Sequence, residues 1–351
     1  MPRIPLHDVI AQNRSIQAEL DAAWKAVNDA GVFINGPQVK QFEEQFANYT
    51  GTNHCIGAGN ATDGFEIAFQ ALGLAEGDEV IIPTNAHVSP ALAALKVGLK
   101  PVFCDVDETR MLLNSETVSA QVSERTKAIV AVHLYGRVCP MDELKQLCEE
   151  YNLMLIEDFS QAHGATFNEQ KVGSFGDVSV CSFYPTKPLG ALGDGGAIMT
   201  SNSKLANKCR ALASYGWNER DNASAAGRNS RLDELQAAVL NVKLQYLDKW
   251  NSERISETIR LQQQLGESAA EFRAGDVCHL FVVRSGRREA LKKYLAENGI
   301  DCQVHYPIPI HKQTLFNSGV ELPIAEKLCK EVLSVPINEK VGGLLDDWKQ
   351  Q

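Results

Sequence analysis

No apolar run in this chain is long enough to cross a bilayer, so a membrane-spanning helix is not expected. The opening stretch, MPRIPLHDVIAQNRSIQAEL, lacks the apolar centre of a secretory signal, and no signal peptide is expected either. Paired cysteines are also missing. Nine cysteines, an odd number, lie scattered without a CxxC, which points to buried free thiols in a reducing, cytoplasmic setting. Positive charge is in deficit: 34 Lys and Arg stand against 44 Asp and Glu, a net charge of −10. General nucleic-acid binding needs a basic footprint and is argued against. An anionic small ligand stays open, because clustered N–H groups hold a phosphate inside an acidic protein. The GxGxxG dinucleotide fingerprint fails, since Gly57 and Gly59 would need a third glycine where Thr62 stands. Repeats and low-complexity tracts are absent as well.

What is present suits a soluble globular protein: 351 residues, 44% hydrophobic and 22% charged, enough for two unequal domains or one large one. Ile16, Leu20, Ala23, Trp24 and Val27 recur at helical spacing before Gly31, and a second helix is predicted after Gly36-Pro37 with Val39, Phe42, Phe46 and Tyr49 on one face. From residue 53 short apolar runs (54–59, 79–83, 101–106, 128–133, 153–158) alternate with helical stretches (62–73, 88–97, 140–151). That alternation predicts an α/β fold around a mostly parallel sheet. Residues 178–183 and 196–201 read as two further strands, one of them a candidate for antiparallel pairing. A helical pattern from Leu232 to Leu265 is long enough to break or to link domains. Beyond it, a strand at 278–285, a helix at 288–299 and a strand at 300–307 predict a smaller α+β unit, with the boundary near residue 250.

Three segments carry chemistry. In SFYPTKPLGALGDGG (182–196) Lys187 follows an apolar strand and precedes a glycine-rich loop. Desolvation at such a place favours the neutral amine that attacks an aldehyde, although most lysines are merely solvated. In LMLIEDFSQAHGA (153–165) Asp158 ends a buried strand, where α/β proteins place ligand-binding residues. It can pair with a protonated ring nitrogen such as the pyridinium of pyridoxal phosphate, or simply cap a helix. Gln161 and His163 follow on the same turn. In HCIGAGNATDGFEIAFQAL (54–72) a small-residue turn opens a helix, a natural phosphate site offered by Asn60, Ala61, Thr62 and Asp63, and equally a capped helix start. Weaker signals are His87, a ring that could stack on a flat cofactor, and Arg228, Asn229 and Arg231, which could serve an anion or just form a turn. His305, Tyr306 and His311 lie in HYPIPIH, where no third metal ligand is near.

Together these motifs resemble the DegT/DnrJ/EryC1/StrS family of sugar aminotransferases over nearly the whole chain: GNATDG (59–64), GDEVIIPTNAH (77–87), PVFCDVD (101–107), VHLYG (132–136), IEDFSQAHGA (156–165), GDVSVCSFYPTKPLGALGDGG (176–196), NSRLDELQAAVL (229–240) and HYPIPIH (305–311). The resemblance implies the fold-type-I aminotransferase architecture, with a large pyridoxal-phosphate-binding domain over 1–250 and a small C-terminal domain over 251–351. It implies that Lys187 holds the cofactor as a Schiff base and shuttles the proton, that Asp158 pairs with the pyridinium nitrogen, and that Gln161 contacts the ring hydroxyl side. Ser182, Ala61 and Thr62 would bind the phosphate, and His87 would lie against the ring. Asn229 matches an asparagine that completes the phosphate site from the partner subunit, which implies a homodimer with shared active sites. His305, Tyr306 and His311 are the expected substrate contacts.

L-glutamate is the implied amino donor and a nucleotide-linked keto sugar the acceptor, for amino-sugar biosynthesis (O-antigen, S-layer glycan or antibiotic sugar). The GNATDG turn resembles the branch that aminates C3 of a dTDP-linked 3-keto-6-deoxyhexose more than the branch that aminates C4. A dehydratase using the same cofactor is a neighbouring reading, which the presence of Lys187 disfavours. A regulatory protein on the same fold and a nicotinamide-dependent oxidoreductase are readings from other classes. Ala61 stands where the family more often has glycine, Pro188 where it often has asparagine, and residues 217–228 match no pattern that assigns them a role.

Overall fold

The computed structural model describes residues 3–219, 221–266 and 269–349, so Arg220 of the unplaced 217–228 segment lies outside the described residues. Three helices open the chain: α1 (Val9–Arg14), α2 (Gln17–Ala30) and α3 (Pro37–Thr50). Gly31 stops α2 at φ 66°, a left-handed conformation that costs glycine nothing, and Pro37 pre-sets the first turn of α3. Ile16, Leu20 and Val27 are buried as their spacing predicts, but Trp24 is 55% exposed and faces outward.

The central layer alternates β1 (His54–Ala58), α4 (Ala61–Leu72), β2 (Glu79–Pro83), α5 (Ser89–Lys96), β3 (Lys100–Cys104), α6 (Ser115–Ser119), β4 (Thr126–Val132), α7 (Met141–Tyr151) and β5 (Met154–Asp158). A small hairpin, β6 (Thr166–Phe167) and β7 (Gln170–Lys171), precedes β8 (Val178–Ser182) and β9 (Gly196–Thr200). The seven-stranded sheet runs β1-β9-β8-β5-β4-β2-β3. Its neighbours from β8 to β3 are parallel, while β9 is antiparallel to both β1 and β8. β2 is buried at every position and β5 at all but its first, as strands covered on both faces must be.

Helix α8 (Ser203–Ala213) and a short ribbon, β10 (Trp217–Glu219) with β11 (Asn222–Ala223), lead to the long helical segment. It breaks at Gln245–Tyr246 into α9 (Glu234–Leu244) and α10 (Leu247–Leu265). A second apolar cluster follows, built from Leu261, Phe281, Leu291, Leu295, Ile300, Leu333 and Leu345. It draws on the end of α10, β12 (Phe281–Arg284), α11 (Arg288–Glu297), β13 (Val332–Val335) and α13 (Glu339–Lys349), whereas α12 (Pro323–Glu331) packs Ala325 and Leu328 into the main core. The strand predicted over 300–307 is not one. β12 pairs antiparallel with β13, and the 300–307 segment makes only isolated bridges, Ile4 with Ile300 and Gln303 with Ser334. Among the described residues no helix is long and apolar enough to cross a membrane.

Candidate active site

The C-terminal ends of β5 and β8 lie side by side and open into a cavity of ≈ 1010 Å³. Asp158 closes β5 and Ser182 closes β8, the edge at which parallel sheets present their ligand residues. On β5, alternation sends Glu157 and Asp158 to opposite faces. Glu157 is buried among the N–H groups of Gly173, Phe175 and Gly176 and the His133 ring, which anchors the strand end. Asp158, only 6% exposed, lines the cavity and accepts the Ser160 N–H at Oδ1 (3.0 Å). Ser160 Oγ in turn accepts the Ser182 N–H (3.0 Å), so the two strand ends are tied together.

Lys187 lies on the turn after β8, on the same cavity. Burial pushes its amine below the ordinary lysine range, and the Asp158 carboxylate opposes that shift. A desolvated amine facing a fixed carboxylate is what carbonyl capture by a lysine and retention of a protonated ring nitrogen together require. Across the cavity α4 begins. Asn60 caps it by accepting the Asp63 N–H (2.9 Å), leaving the first-turn N–H groups of Ala61 and Thr62 at the positive helix end. A Cβ on Gly196 would sit 2.6 Å from the Asn60 carbonyl carbon and 2.8 Å from the Ala61 nitrogen. Glycine there lets β9 pack directly beneath the helix start. This bare N–H pair, with the hydroxyls of Thr62, Ser89 and Ser182 on the cavity wall, fits a phosphate monoester.

Gln161 accepts the Tyr135 N–H (2.6 Å) and donates to the Tyr306 hydroxyl (3.3 Å), so its amide is fixed at the cavity wall. The His87 ring stands 5.6 Å from that of Tyr306, and burial and Lys187 push its pKa down while Asp158 opposes them. The cavity thus gathers Ala61, Thr62, His87, Asp158, Gln161, Ser182, Lys187, His305 and Tyr306 from stretches far apart in sequence.

Asn229 and His311 are not on its walls. Asn229 is exposed and bridges Ser214. His311 is fully buried between Thr84 Oγ1 (2.6 Å) and Glu326 Oε1 (3.1 Å), a tie between the β2 end and α12, which corrects its grouping with His305 and Tyr306. His163 is also off the wall, packed among the rings of Phe46, Phe159 and Phe183. Arg228 is held by Asp63 and Glu66. The cavity further includes residues with no local signal: Arg3, His7, Tyr184, Asp194, His279 and Gln303.

A strand-end carboxylate, a desolvated lysine and a helix-start phosphate cradle around one cavity define a pyridoxal-phosphate enzyme of the aminotransferase class. The profile of the DegT/DnrJ/EryC1/StrS aminotransferase family matches residues 14–343, and the chain belongs to that family. It is 40% identical over 342 residues, 95% of this chain and 94% of the relative, to the dTDP-3-amino-3,6-dideoxy-alpha-D-galactopyranose transaminase of Aneurinibacillus thermoaerophilus. Among solved structures, DesV of S. venezuelae in complex with a ketimine intermediate superposes with a TM-score of 0.97 at 35% identity, covering 100% of both chains. NtdA of Bacillus subtilis with bound cofactor PMP gives 0.93 at 29% identity, over 100% of this chain and 86% of that one.

Proposed function

We propose that this aminotransferase carries an amino group from L-glutamate to a nucleotide-linked keto sugar, at C3 of a dTDP-linked 3-keto-6-deoxyhexose, as a cytoplasmic homodimer with shared active sites. The observation that carries the reading is Lys187 facing Asp158 in one cavity, opposite the α4 start. The Aneurinibacillus relative, whose product bears its amine at C3, supports the acceptor and the position. The nine cysteines are free, eight of them buried, which supports a reducing compartment.

Pyridoxal phosphate supplies an aldehyde that captures amines and a ring that accepts the electrons of a broken C–H bond. The chain's own residues do the rest. Ala61, Thr62 and Ser182 would hold the phosphate, with Asn229 of the partner subunit completing that end. Asp158 would keep the ring nitrogen protonated, Gln161 would hold the ring hydroxyl side, and His87 would lie against the ring face. Lys187 Nζ, whose pKa burial pushes down, takes the α-proton of the donor and returns a proton when the acceptor is aminated. His305 and Tyr306 face the space left for the sugar. Both of the domains proposed, 1–250 and 251–351, contribute residues to that cavity.

The test is an absorbance spectrum of the protein with pyridoxal phosphate, before and after L-glutamate, beside Lys187→Ala. The wild type is expected to show the band of lysine-bound cofactor and to lose it with glutamate; Lys187→Ala should do neither. A wild type without that band overturns the role of Lys187. A band that glutamate leaves untouched overturns the donor and favours a dehydratase or another amino donor.

A further inference from the structure

The N-terminal segment before α1 forms one wall of the cavity, and nothing in the reaction described above uses it. Ile4 is pinned to the segment after α11: its N–H donates to the Gly299 carbonyl (2.9 Å), and the Asp301 N–H donates to its carbonyl (2.9 Å). Arg3 adds an ion pair with Asp301. Three residues on, His7 stacks on His279, ring centroids 4.9 Å apart and planes within 10°. Both rings line the cavity that holds Lys187. They also line a second cavity of ≈ 410 Å³ behind Lys187, so the stacked pair is a partition fixed on both sides.

Burial, with the neighbouring His305, Lys187 and Arg254, pushes His7 down to about 4, and His279 is pushed well below the ordinary histidine range by burial and by His7. Among the described residues no protein group hydrogen-bonds either ring. His279 is 6% exposed and His7 half-buried, and the ring nitrogens of neither are sealed inside the protein, unlike those of His163. Open ring nitrogens on a cavity wall are therefore places for a ligand. A neutral imidazole offers one N–H and one bare nitrogen, and a hydroxyl, donor and acceptor at once, satisfies either. A carboxylate only accepts and leaves the bare nitrogen unpaired. Of the two substrates that must share this cavity, the hexose carries hydroxyls and the amino acid does not.

We propose that His7, held on His279 by the N-terminal segment, is a specificity-determining residue that hydrogen-bonds a hexose hydroxyl of the acceptor. The proposal rests on the acceptor reading given above. Its test uses enzyme loaded with pyridoxamine phosphate and two probes, dTDP and dTDP-3-amino-3,6-dideoxy-D-galactose, with binding followed by calorimetry. His7→Phe keeps an aromatic ring to stack on His279 but removes the hydrogen bond. It should weaken the amino-sugar nucleotide about tenfold and leave dTDP within about twofold. His7→Gln, which can hydrogen-bond, should recover most of that loss.

Unchanged binding of the amino-sugar nucleotide in His7→Phe overturns the proposal, as does an equal loss for dTDP, which would mark a wall residue without sugar contact. The glutamate-driven spectral change, measured on the same preparations, separates the two readings. A wild type that responds to glutamate but binds the amino-sugar nucleotide no better than dTDP sinks the sugar contact and the acceptor, and leaves transamination standing. A wild type that fails both sinks the functional reading and this one with it.

Discussion

If Asp158 pairs with the ring nitrogen as proposed, the electronics of the site turn on it. It is buried and fixed by the Ser160 N–H, so Asp158→Asn keeps the shape and removes the charge. Losing one partner of a buried ion pair costs about 3–5 kcal/mol, and about 3 kcal/mol corresponds to a rate loss of roughly a hundredfold. The glutamate half-reaction, followed by stopped-flow absorbance, should slow by at least that much while cofactor stays bound. A smaller loss would mean that the carboxylate does not face the ring nitrogen. His163 makes a prediction of another kind. Both its ring nitrogens are buried without a partner, and burial, helped by Lys187 and Arg254, pushes it down to about 3. The unfolded chain takes up that proton near 6.5, so between 6.5 and about 3 it binds more protons than the fold does. Stability must fall as pH drops through that window, and His7 and His305, both pushed to about 4 with burial as the main cause, add the same sign. The urea midpoint should decline from pH 7 to pH 5, and His163→Phe, placed among three phenylalanines, should flatten the decline; an unchanged slope would move the titration elsewhere.

At the scale of elements, the close approach of β9 to the start of α4 shapes the proposed phosphate cradle. Gly196→Ala would force a methyl within 2.6 Å of backbone that cannot swing away. Overpacking of this kind costs about 1–3 kcal/mol. The variant should lose urea stability and bind pyridoxal phosphate more weakly in a fluorescence titration, and loss of stability with unaltered cofactor affinity would separate the cradle from the phosphate. The strands and helices that carry this geometry are legible in the sequence wherever the signal is local. EVIIP and LMLIED are apolar on both faces because both faces are covered, and Gly31 marks the end of α2 because a left-handed residue must stand there. Where partners are distant, legibility fails. Residues 300–307 look like a strand, yet Asp301, Cys302, Gln303, His305 and Tyr306 are drawn onto the cavity wall. The strand that does pair with β12, VLSV at 332–335, continues straight from α12 with no turn residue to announce it. Lys187, Asp158 and the α4 turn are legible because each follows a strand at a fixed place. His7 and His279 are not, since no spacing relates two histidines so far apart in the chain. His311 shares HYPIPIH with His305, but the prolines turn it inward onto Thr84.

On the scale of the whole molecule, Asn229 stands exposed and off the cavity of its own chain, while apolar side chains lie open at Val32, Phe33, Ile34, Tyr184, Leu192 and Tyr215. Scattered exposed apolar residues are ordinary, but Tyr184 sits on the cavity wall itself, so a partner that covers it would also reach the cofactor. If Asn229 completes the phosphate end of the partner's site, activity must obey the arithmetic of shared sites. Asn229→Asp sets a carboxylate against a phosphate, and like-charge repulsion should nearly silence that variant. Lys187→Ala is silent for a different reason. A dimer with one subunit of each kind then has one site with both defects and one with neither. Random reassortment makes half the dimers mixed, so about a quarter of wild-type activity per site should return when the two inactive proteins are mixed and allowed to exchange. Were Asn229 to act within its own chain, each site of the mixed dimer would keep one defect and no activity would return. The same mixture therefore reads out the dimer and the direction of the contact together, without any assumption about which sugar the site accepts.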